Sequence, residues 1–273
     1  MNILDAIILG VVQGLTEFLP ISSSGHLVIA QKLLGIDKHD LAFDLAAHVG
    51  TLLSIFTIYA VLLKRLVQTT LRPGVLLAGK TQEAHLILMV IIGSIPTALI
   101  GFGFKRQFEE MFDDMWSLGI CFIITGGLLL LSKWRGNARF SREQLMSFDG
   151  IQAITWQKAL FIGAAQGLSI APSISRSGIT IVAGLLVGVP APTAAMYSFI
   201  MSIPAVAGAA MLELRHVPLE TARLEILGIG FVTAYLAGVV GLWGTLQSVR
   251  KGRLEVFTGY LVILGILILW FWT

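Results

Sequence analysis

Six stretches of the chain are predominantly apolar for about the 20 residues that a helix needs to cross some 30 Å of hydrocarbon. They lie near 41–63, 86–104, 116–132, 191–212, 226–247 and 255–272 and predict six transmembrane helices. Two other segments break that length rule, both in the same way. Gln13-Gly14-Leu15-Thr16 leads to Pro20 and Ser22-Ser23-Ser24-Gly25, and Gln166-Gly167-Leu168-Ser169 leads to Pro172 and Ser175-Arg176-Ser177-Gly178. After the first, the apolar stretch from Leu27 to Gly35 would rise only about 14 Å as a helix, too little to span. Irregular backbone at membrane depth is tolerated only around a protein-lined or wet cavity. Each segment therefore predicts a re-entrant hairpin: a helix that enters, breaks at Pro, Ser and Gly, and returns as a second short helix.

The pattern repeats across the chain. Gln13 and Gln166 are 153 positions apart, as are Gly25 and Gly178, while Gly101 and Gly238 are 137 apart and Gly127 and Gly265 are 138 apart. The offset falls because loop 64–85 is longer. Each half holds one hairpin and three crossings, and an odd number of crossings turns the second half over, as in many transporters. The expected fold is an all-α polytopic membrane protein with six transmembrane helices and two re-entrant helical hairpins in an inverted-topology repeat. It forms a single membrane domain over 1–273, with repeats at about 1–134 and 153–273 joined by a cytoplasmic loop. Loops 64–85, 133–158 and 250–255 carry twelve Lys and Arg, against four in loops 105–114 and 213–225. The first group should be cytoplasmic by the positive-inside rule. Both termini and the first hairpin then open to the outer side, the second hairpin enters from the cytoplasm, and their tips meet in between.

Composition agrees with this picture. The 273 residues are 56% hydrophobic and 13% charged, with a mean hydropathy of +0.85, above the apolar content of a soluble domain. The formal charge of +3 reflects loop residues. No Lys/Arg cluster interleaves with aromatics, so a nucleic-acid partner is not expected. The lone cysteine, Cys121, sits in an apolar run and cannot form an intrachain disulfide. The first apolar segment carries Asp5, Gln13 and Glu17 and has no positive leader, so it does not read as a cleavable signal peptide.

The candidate chemistry lies at the two tips. Once loop residues, Lys32 and Lys38 are set aside, Arg176 is the one cation left at membrane depth, and a lone buried cation needs an anion. Ser175, Ser177 and Thr180 surround it, and Gly178 precedes a helix whose first N–H groups are free to bind oxyanions. A guanidinium fork beside hydroxyls and backbone donors suits phosphate; the plainer alternative is a structural pair with Glu17. Gln13 and Glu17, four apart, share a helix face. Such oxygen ligands suit Mg²⁺ or Ca²⁺ when phosphate supplies the rest, or Glu17 simply neutralises Arg176. Ser23 and His26 are three apart around a glycine and read as a nucleophile with its base; a capped helix start beside a satisfied histidine explains them equally. Asp44 and His48 are second-tier candidates, and His39, His85 and His216 lie near loops.

These residues resemble a known family. The run from Gln13 through Glu17, Pro20, Ser22, Ser23, Gly25 and His26 is similar to the Glu/Gln-x-x-x-Glu and Pro-x-Ser-Ser-x-Gly-His signature of undecaprenyl pyrophosphate phosphatases, the bacitracin-resistance family. Pro172-Ser173-Ile174-Ser175-Arg176-Ser177-Gly178-Ile179-Thr180 is similar to that family's Pro-Gly-x-Ser-Arg-Ser-x-x-Thr motif. The resemblance implies hydrolysis of the terminal phosphate of a C55 polyprenyl pyrophosphate, giving the monophosphate carrier lipid of cell-wall synthesis, in the plasma membrane. It implies Arg176, Ser23 and His26 as catalytic residues, with the Ser23 or the His26 nucleophile left open. Ser175, Ser177, Thr180, Ser22 and Gly178 would bind phosphate, and Glu17 and Gln13 a divalent cation, Mg²⁺ or Ca²⁺. The implied partners are the pyrophosphate lipid and membrane lipids, with a homodimer left open. A transporter or flippase for the same lipid is the rival reading, and a catalytically dead lipid-binding protein a third. One departure stands out: the family's Gly after the proline is Ser173 here, which could restrict a turn that prefers positive φ.

Overall fold

The computed structural model of the chain describes residues 1–36, 40–135, 140–145, 148, 150–214 and 223–272; His39 and His216 lie outside them. Every regular element among these residues is helical. In chain order the α-helices are α1 Ile3–Phe18, α2 Ser23–Leu33, α3 Leu41–Ile58, α4 Ala60–Thr70, α5 Pro73–Ala78, α6 Gln82–Gly103, α7 Lys105–Asp113, α8 Met115–Leu130, α9 Arg142–Leu145, α10 Trp156–Leu168, α11 Arg176–Leu186, α12 Ala191–Glu213, α13 Leu224–Arg250 and α14 Thr258–Phe271.

Six of them, α3, α6, α8, α12, α13 and α14, are long and apolar enough to cross a membrane, the third and last being extended by short 3-10 turns. Each falls on one of the six expected runs. Their outer faces carry large apolar side chains in the open, among them Leu99 at 69%, Val240 at 60% and Ile263 at 61% exposed. A soluble bundle would bury such a stripe; here it faces lipid. The run expected to continue to residue 63 stops instead at Ile58, and after Tyr59 a separate helix begins. The sequence explains the break. Lys64 and Arg65 interrupt the apolar run, so α4 becomes amphipathic, burying Leu62 and Leu66, one turn apart, and exposing the charges. At 27 residues, α13 is about 40 Å long and overruns the hydrocarbon.

The four helices flanking the motifs are shorter. α1 and α2 pack on each other, as do α10 and α11. α1 also packs on α3 and α11 on α12 within their own halves, while other contacts cross between the halves of the chain: α1 lies along α13, α10 along α6 and, among the long helices, α8 along α14. Small residues permit the close approach, as lipid-embedded helix contacts require. A Cβ added at Gly163 on α10 would fall 1.9 Å from the Gly93 carbonyl oxygen of α6, and one at Gly10 on α1 would fall 2.9 Å from the Gly230 carbonyl oxygen of α13. Beside the first contact the Thr97 hydroxyl donates to the Gly163 carbonyl at 2.8 Å.

The end of α1 is fixed from the far half of the chain. The Phe18 ring meets Phe199 of α12 edge-on at 5.9 Å. The Thr245 hydroxyl of α13 donates to the Phe18 carbonyl at 2.8 Å, satisfying an acceptor that the helix terminus would leave open. At the start of α8, Asp114 accepts from the Trp116 and Ser117 amides and from the Ser117 hydroxyl, and these bonds, the hydroxyl first, hold its carboxyl below the usual range.

Gly163→Ala should cost about 1–3 kcal/mol, because the added methyl must push two backbones apart. Gly208→Ala on α12, where a Cβ meets nothing within 4 Å, should instead be neutral or stabilise by up to about 1 kcal/mol through helix propensity. Thermal unfolding of both variants in one detergent checks the contrast.

Candidate active site

The C-terminal half of α1 presents Gln13 and Glu17 on one face. Its cap, Leu19, turns extended (φ −59°, ψ 141°), and the chain reaches α2 through Ser22 at φ +69°. On the opposite side α10 ends at Leu168, the chain turns through Ser173 at φ +61°, and Ser175 caps α11, its hydroxyl accepting from the Gly178 amide at 3.2 Å. Arg176 is therefore the first residue of α11. Ser22 and Ser173 are the only non-glycine residues at positive φ among the described residues, and one sits on each tip. Backbone strain collects where geometry is over-determined, commonly at functional sites.

Arg176 and Glu17 form an ion pair, Nη2 to Oε1, with side-chain exposures of only 18% and 7%. The other carboxylate oxygen, Oε2, accepts from the Gln13 amide at 3.0 Å and from the Ser23 hydroxyl at 2.6 Å. The two motifs thus converge on one buried carboxylate, with guanidinium, amide and hydroxyl all donating to it. The tips also touch through backbone. The Ser173 amide donates to the Ser24 hydroxyl at 3.4 Å, and a Cβ on Gly25 would fall 2.3 Å from the Ser173 hydroxyl. The Thr125 hydroxyl of α8 donates to the Ser173 carbonyl at 2.9 Å and accepts from the Ser175 amide at 3.3 Å.

Ser23 and His26 do not bond to each other. Ser23 donates to Glu17, whereas the His26 ring turns to the Ser22 carbonyl, at 2.6 Å from Nδ1, and to the Tyr260 hydroxyl, at 2.6 Å from Nε2. The spacing that suggested a serine–histidine dyad describes one turn of α2, whose first residue, Ser23, points back at α1.

A family model described as bacitracin resistance protein BacA matches residues 6–267. The chain belongs to the BacA family. Full-length relatives agree with this: an undecaprenyl-diphosphatase of Carboxydothermus hydrogenoformans is 42% identical, the match covering 98% of this chain and 97% of the relative. Proteins of the same name from Desulforapulum autotrophicum and Desulfosudis oleivorans are 37% and 36% identical, over 98% and 99% of this chain and 97% and 98% of theirs.

In this BacA family member the expected phosphate-binding residues divide by position. Arg176, Ser175 and Ser177 lie at the tip, with Ser177 donating to the Leu19 carbonyl at 3.4 Å, and Ser22 faces Ser24 at 3.2 Å between hydroxyls. Thr180 is fully buried one turn lower; its hydroxyl donates to the Arg176 carbonyl at 2.7 Å and meets the Ser198 hydroxyl of α12 at 2.6 Å. That pair braces the base of Arg176. Gly178 gives its amide to the Ser175 cap, which leaves the Arg176 and Ser177 amides as the donors of the first turn that precede it.

Gln13 and Glu17 fit a hard cation in one respect: the Gln13 Oε1 atom is buried and accepts no hydrogen bond among the described residues. An oxygen acceptor left open beside a carboxylate is the donor chemistry such ions take. No group of three or more His, Cys, Asp or Glu gathers anywhere among the described residues, so a divalent ion would draw its remaining ligands from a phosphate or water. Of the second-tier candidates, His48 is an electrostatic neighbour of Glu17. Its Nδ1–H donates to the Asp44 carbonyl at 2.7 Å, and the Gln31 amide donates to the Asp44 carboxylate at 3.3 Å. His85 bonds to the Ile154 carbonyl at 2.9 Å, away from the tips.

Sequence reasoning did not find Tyr260, Thr125 or Ser198. All three stand inside apolar runs that read as membrane crossings, and only their partners on other helices mark them. Ser173 does take the positive φ its turn demands, although it is not glycine, and its buried hydroxyl finds no hydrogen-bond partner among the described residues. Ser173→Gly should therefore stabilise the fold by about 1 kcal/mol by relieving the left-handed backbone, read as a raised melting temperature in detergent. Arg176→Ala should destabilise by about 3–5 kcal/mol because it strands the Glu17 carboxylate. Adding Glu17→Gln should recover much of that loss, and a double-mutant cycle of unfolding free energies measures the coupling.

Proposed function

We propose that the chain is an integral membrane diphosphatase that hydrolyses undecaprenyl diphosphate, a C55 polyprenyl pyrophosphate, to the monophosphate carrier lipid. The observation that carries this is the buried pairing of Arg176 with Glu17 between two unlike tips, in a chain whose full-length relatives are named undecaprenyl-diphosphatases. In this reading the polyprenyl tail stays in lipid and the diphosphate enters between α1–α2 and α10–α11. These two pairs act as re-entrant hairpins of an inverted repeat, 1–134 and 153–273. Support comes from the crossed packing of α1 on α13 and α10 on α6, and from two glycine contacts, Gly10–Gly230 and Gly163–Gly93, that correspond by the offsets of the sequence repeat: Gly163 lies 153 positions after Gly10, and Gly230 lies 137 after Gly93. Both termini then lie on the outer side of the plasma membrane, as the loop charges favour.

Arg176 would exchange its carboxylate for the oxygens of the terminal phosphate, aided by Ser175, Ser177, Ser22 and the free amides at the start of α11. Its fixed fork then neutralises charge that grows in the transition state. Ser23 is the nucleophile: its oxygen bonds to the terminal phosphorus, its proton passes along the 2.6 Å bond to Glu17, and the bridging oxygen leaves with the lipid monophosphate. Water then attacks that phosphorus, its proton taken by His26 Nε2; the bond from phosphorus to the Ser23 oxygen breaks, Ser23 regains its proton from Glu17, and inorganic phosphate departs. Gln13 and Glu17 would hold a divalent cation, Mg²⁺ or Ca²⁺, which when bound supplies charge neutralisation across the diphosphate. Inverted repeats are also a transporter architecture. Hydrolysis is favoured because the tips are unlike, with Glu17 and His26 on one and Arg176 on the other.

Purified chain given undecaprenyl diphosphate and Mg²⁺ or Ca²⁺ should release inorganic phosphate, and a chelator should stop it. Arg176→Lys, which keeps the charge but loses the fork, should lower kcat by about 100-fold or more, and Ser23→Ala should abolish labelling of the protein by β-³²P substrate. Release that persists without metal removes the role given to Gln13 and Glu17. Lipid translocation in liposomes without phosphate release overturns hydrolysis in favour of transport.

A further inference from the structure

Three residues, Phe122, Tyr260 and Ser22, hold the His26 ring. Phe122 of α8 meets it edge-on at 5.2 Å and 86°, and the Tyr260 ring of α14 stacks on it at 5.7 Å and 16°. The Ser22 carbonyl lies 2.6 Å from Nδ1 and the Tyr260 hydroxyl 2.6 Å from Nε2. A carbonyl oxygen only accepts, so Nδ1 must carry a hydrogen. In the neutral ring Nε2 then holds the lone pair, and the tyrosine O–H donates to it. The Ser22 carbonyl gains its aim from an unusual backbone, φ +69° and ψ 109°, so the tip pays in strain for this hydrogen bond.

Tyr260 reaches His26 across 234 residues of sequence from a helix whose outer face meets lipid, and it is itself 48% exposed. A tyrosine on such a surface needs no partner within the protein, because its polar tip can find water or headgroups. Here the tip instead turns inward to an imidazole at the start of α2, one turn from Ser23. We propose that Tyr260 is a positioning residue for His26: its hydroxyl selects the tautomer protonated on Nδ1, and its ring fixes the plane in which Nε2 is offered as the single basic nitrogen. The hydroxyl also keeps Nε2 occupied until the incoming substrate or water displaces it. This rests on the diphosphatase reading for its catalytic consequence, whereas the tautomer assignment rests on geometry alone.

The test separates the two. Full-length chain with ¹⁵N-histidine in detergent micelles, the His26 signals assigned by their loss in His26→Gln, should show a protonated Nδ1 and an unprotonated, hydrogen-bonded Nε2. In Tyr260→Phe, which keeps the stack and removes the hydroxyl, the Nε2 resonance should move to its unbonded position or average between tautomers. The same variant should lower kcat for undecaprenyl diphosphate by about tenfold, the rate equivalent of one hydrogen bond, with KM within about twofold, an altered pH–rate profile and an unchanged melting temperature. An Nε2-protonated ring or an imidazolium in the parent protein overturns the proposal, as does a Tyr260→Phe variant with the parent spectrum and kcat. If the parent chain releases no phosphate yet shows the expected spectrum, the diphosphatase reading fails and the positioning by Tyr260 stands.

Discussion

A guanidinium and a carboxylate inside a bundle this apolar cannot remain apart. Either charge alone at that depth would cost several kcal/mol in lost hydration, and Arg176 and Glu17 avoid it only by meeting. They sit on chain segments 159 residues apart, at the end of α1 and the start of α11. Bringing them together sets the end of α1 against the start of α11, with the two tips in contact. The remaining polar atoms of the site are arranged around that requirement. Gln13 and Ser23 complete the shell of the carboxylate, and Thr180 with Ser198 braces the turn that carries the guanidinium.

Such a meeting demands tight backbone. Two serines accept the left-handed region, Gly25 leaves room for the Ser173 hydroxyl, and Thr125 ties the second tip to α8 through one donated and one accepted bond. Glycine-lined contacts between α10 and α6 and between α1 and α13 carry the same economy outward, since packing and hydrogen bonding, rather than expulsion of water, must hold helices together in lipid. Each tip is fastened to a long helix from the opposite half of the chain.

The chemistry follows from which donors face which acceptors. In the proposed reaction the buried carboxylate that already receives the Ser23 hydroxyl orients that serine and takes its proton. An imidazole held between a carbonyl and a phenol is arranged to present one nitrogen. Serine and histidine, neighbours on one helical turn, thereby acquire separate surroundings, which in the proposed reaction give them separate tasks.

The hydrophobic pattern alone yields the six long helices to within a few residues, because the thickness of hydrocarbon imposes a length on any apolar run. The ends that differ most are the close of α3, at Ile58 rather than 63, and the start of α6, at Gln82 rather than 86. The pairing of Arg176 with Glu17 was also legible, by elimination: with every other cation assigned to a loop or to the flanks at Lys32 and Lys38, one was left needing an anion. The partners of Ser23 and His26 were not legible. Sequence proximity suggested that they serve each other, but helix geometry turns Ser23 toward α1 and His26 toward α14. Tyr260, Thr125 and Ser198 are hidden in runs whose polar minority carries no periodic signal. Composition and spacing register what a segment must do with its own backbone and its own charge, so they determine span, break and unpaired ion. Which hydroxyl meets which ring depends on how helices distant in sequence pack, and only the tertiary structure decides that.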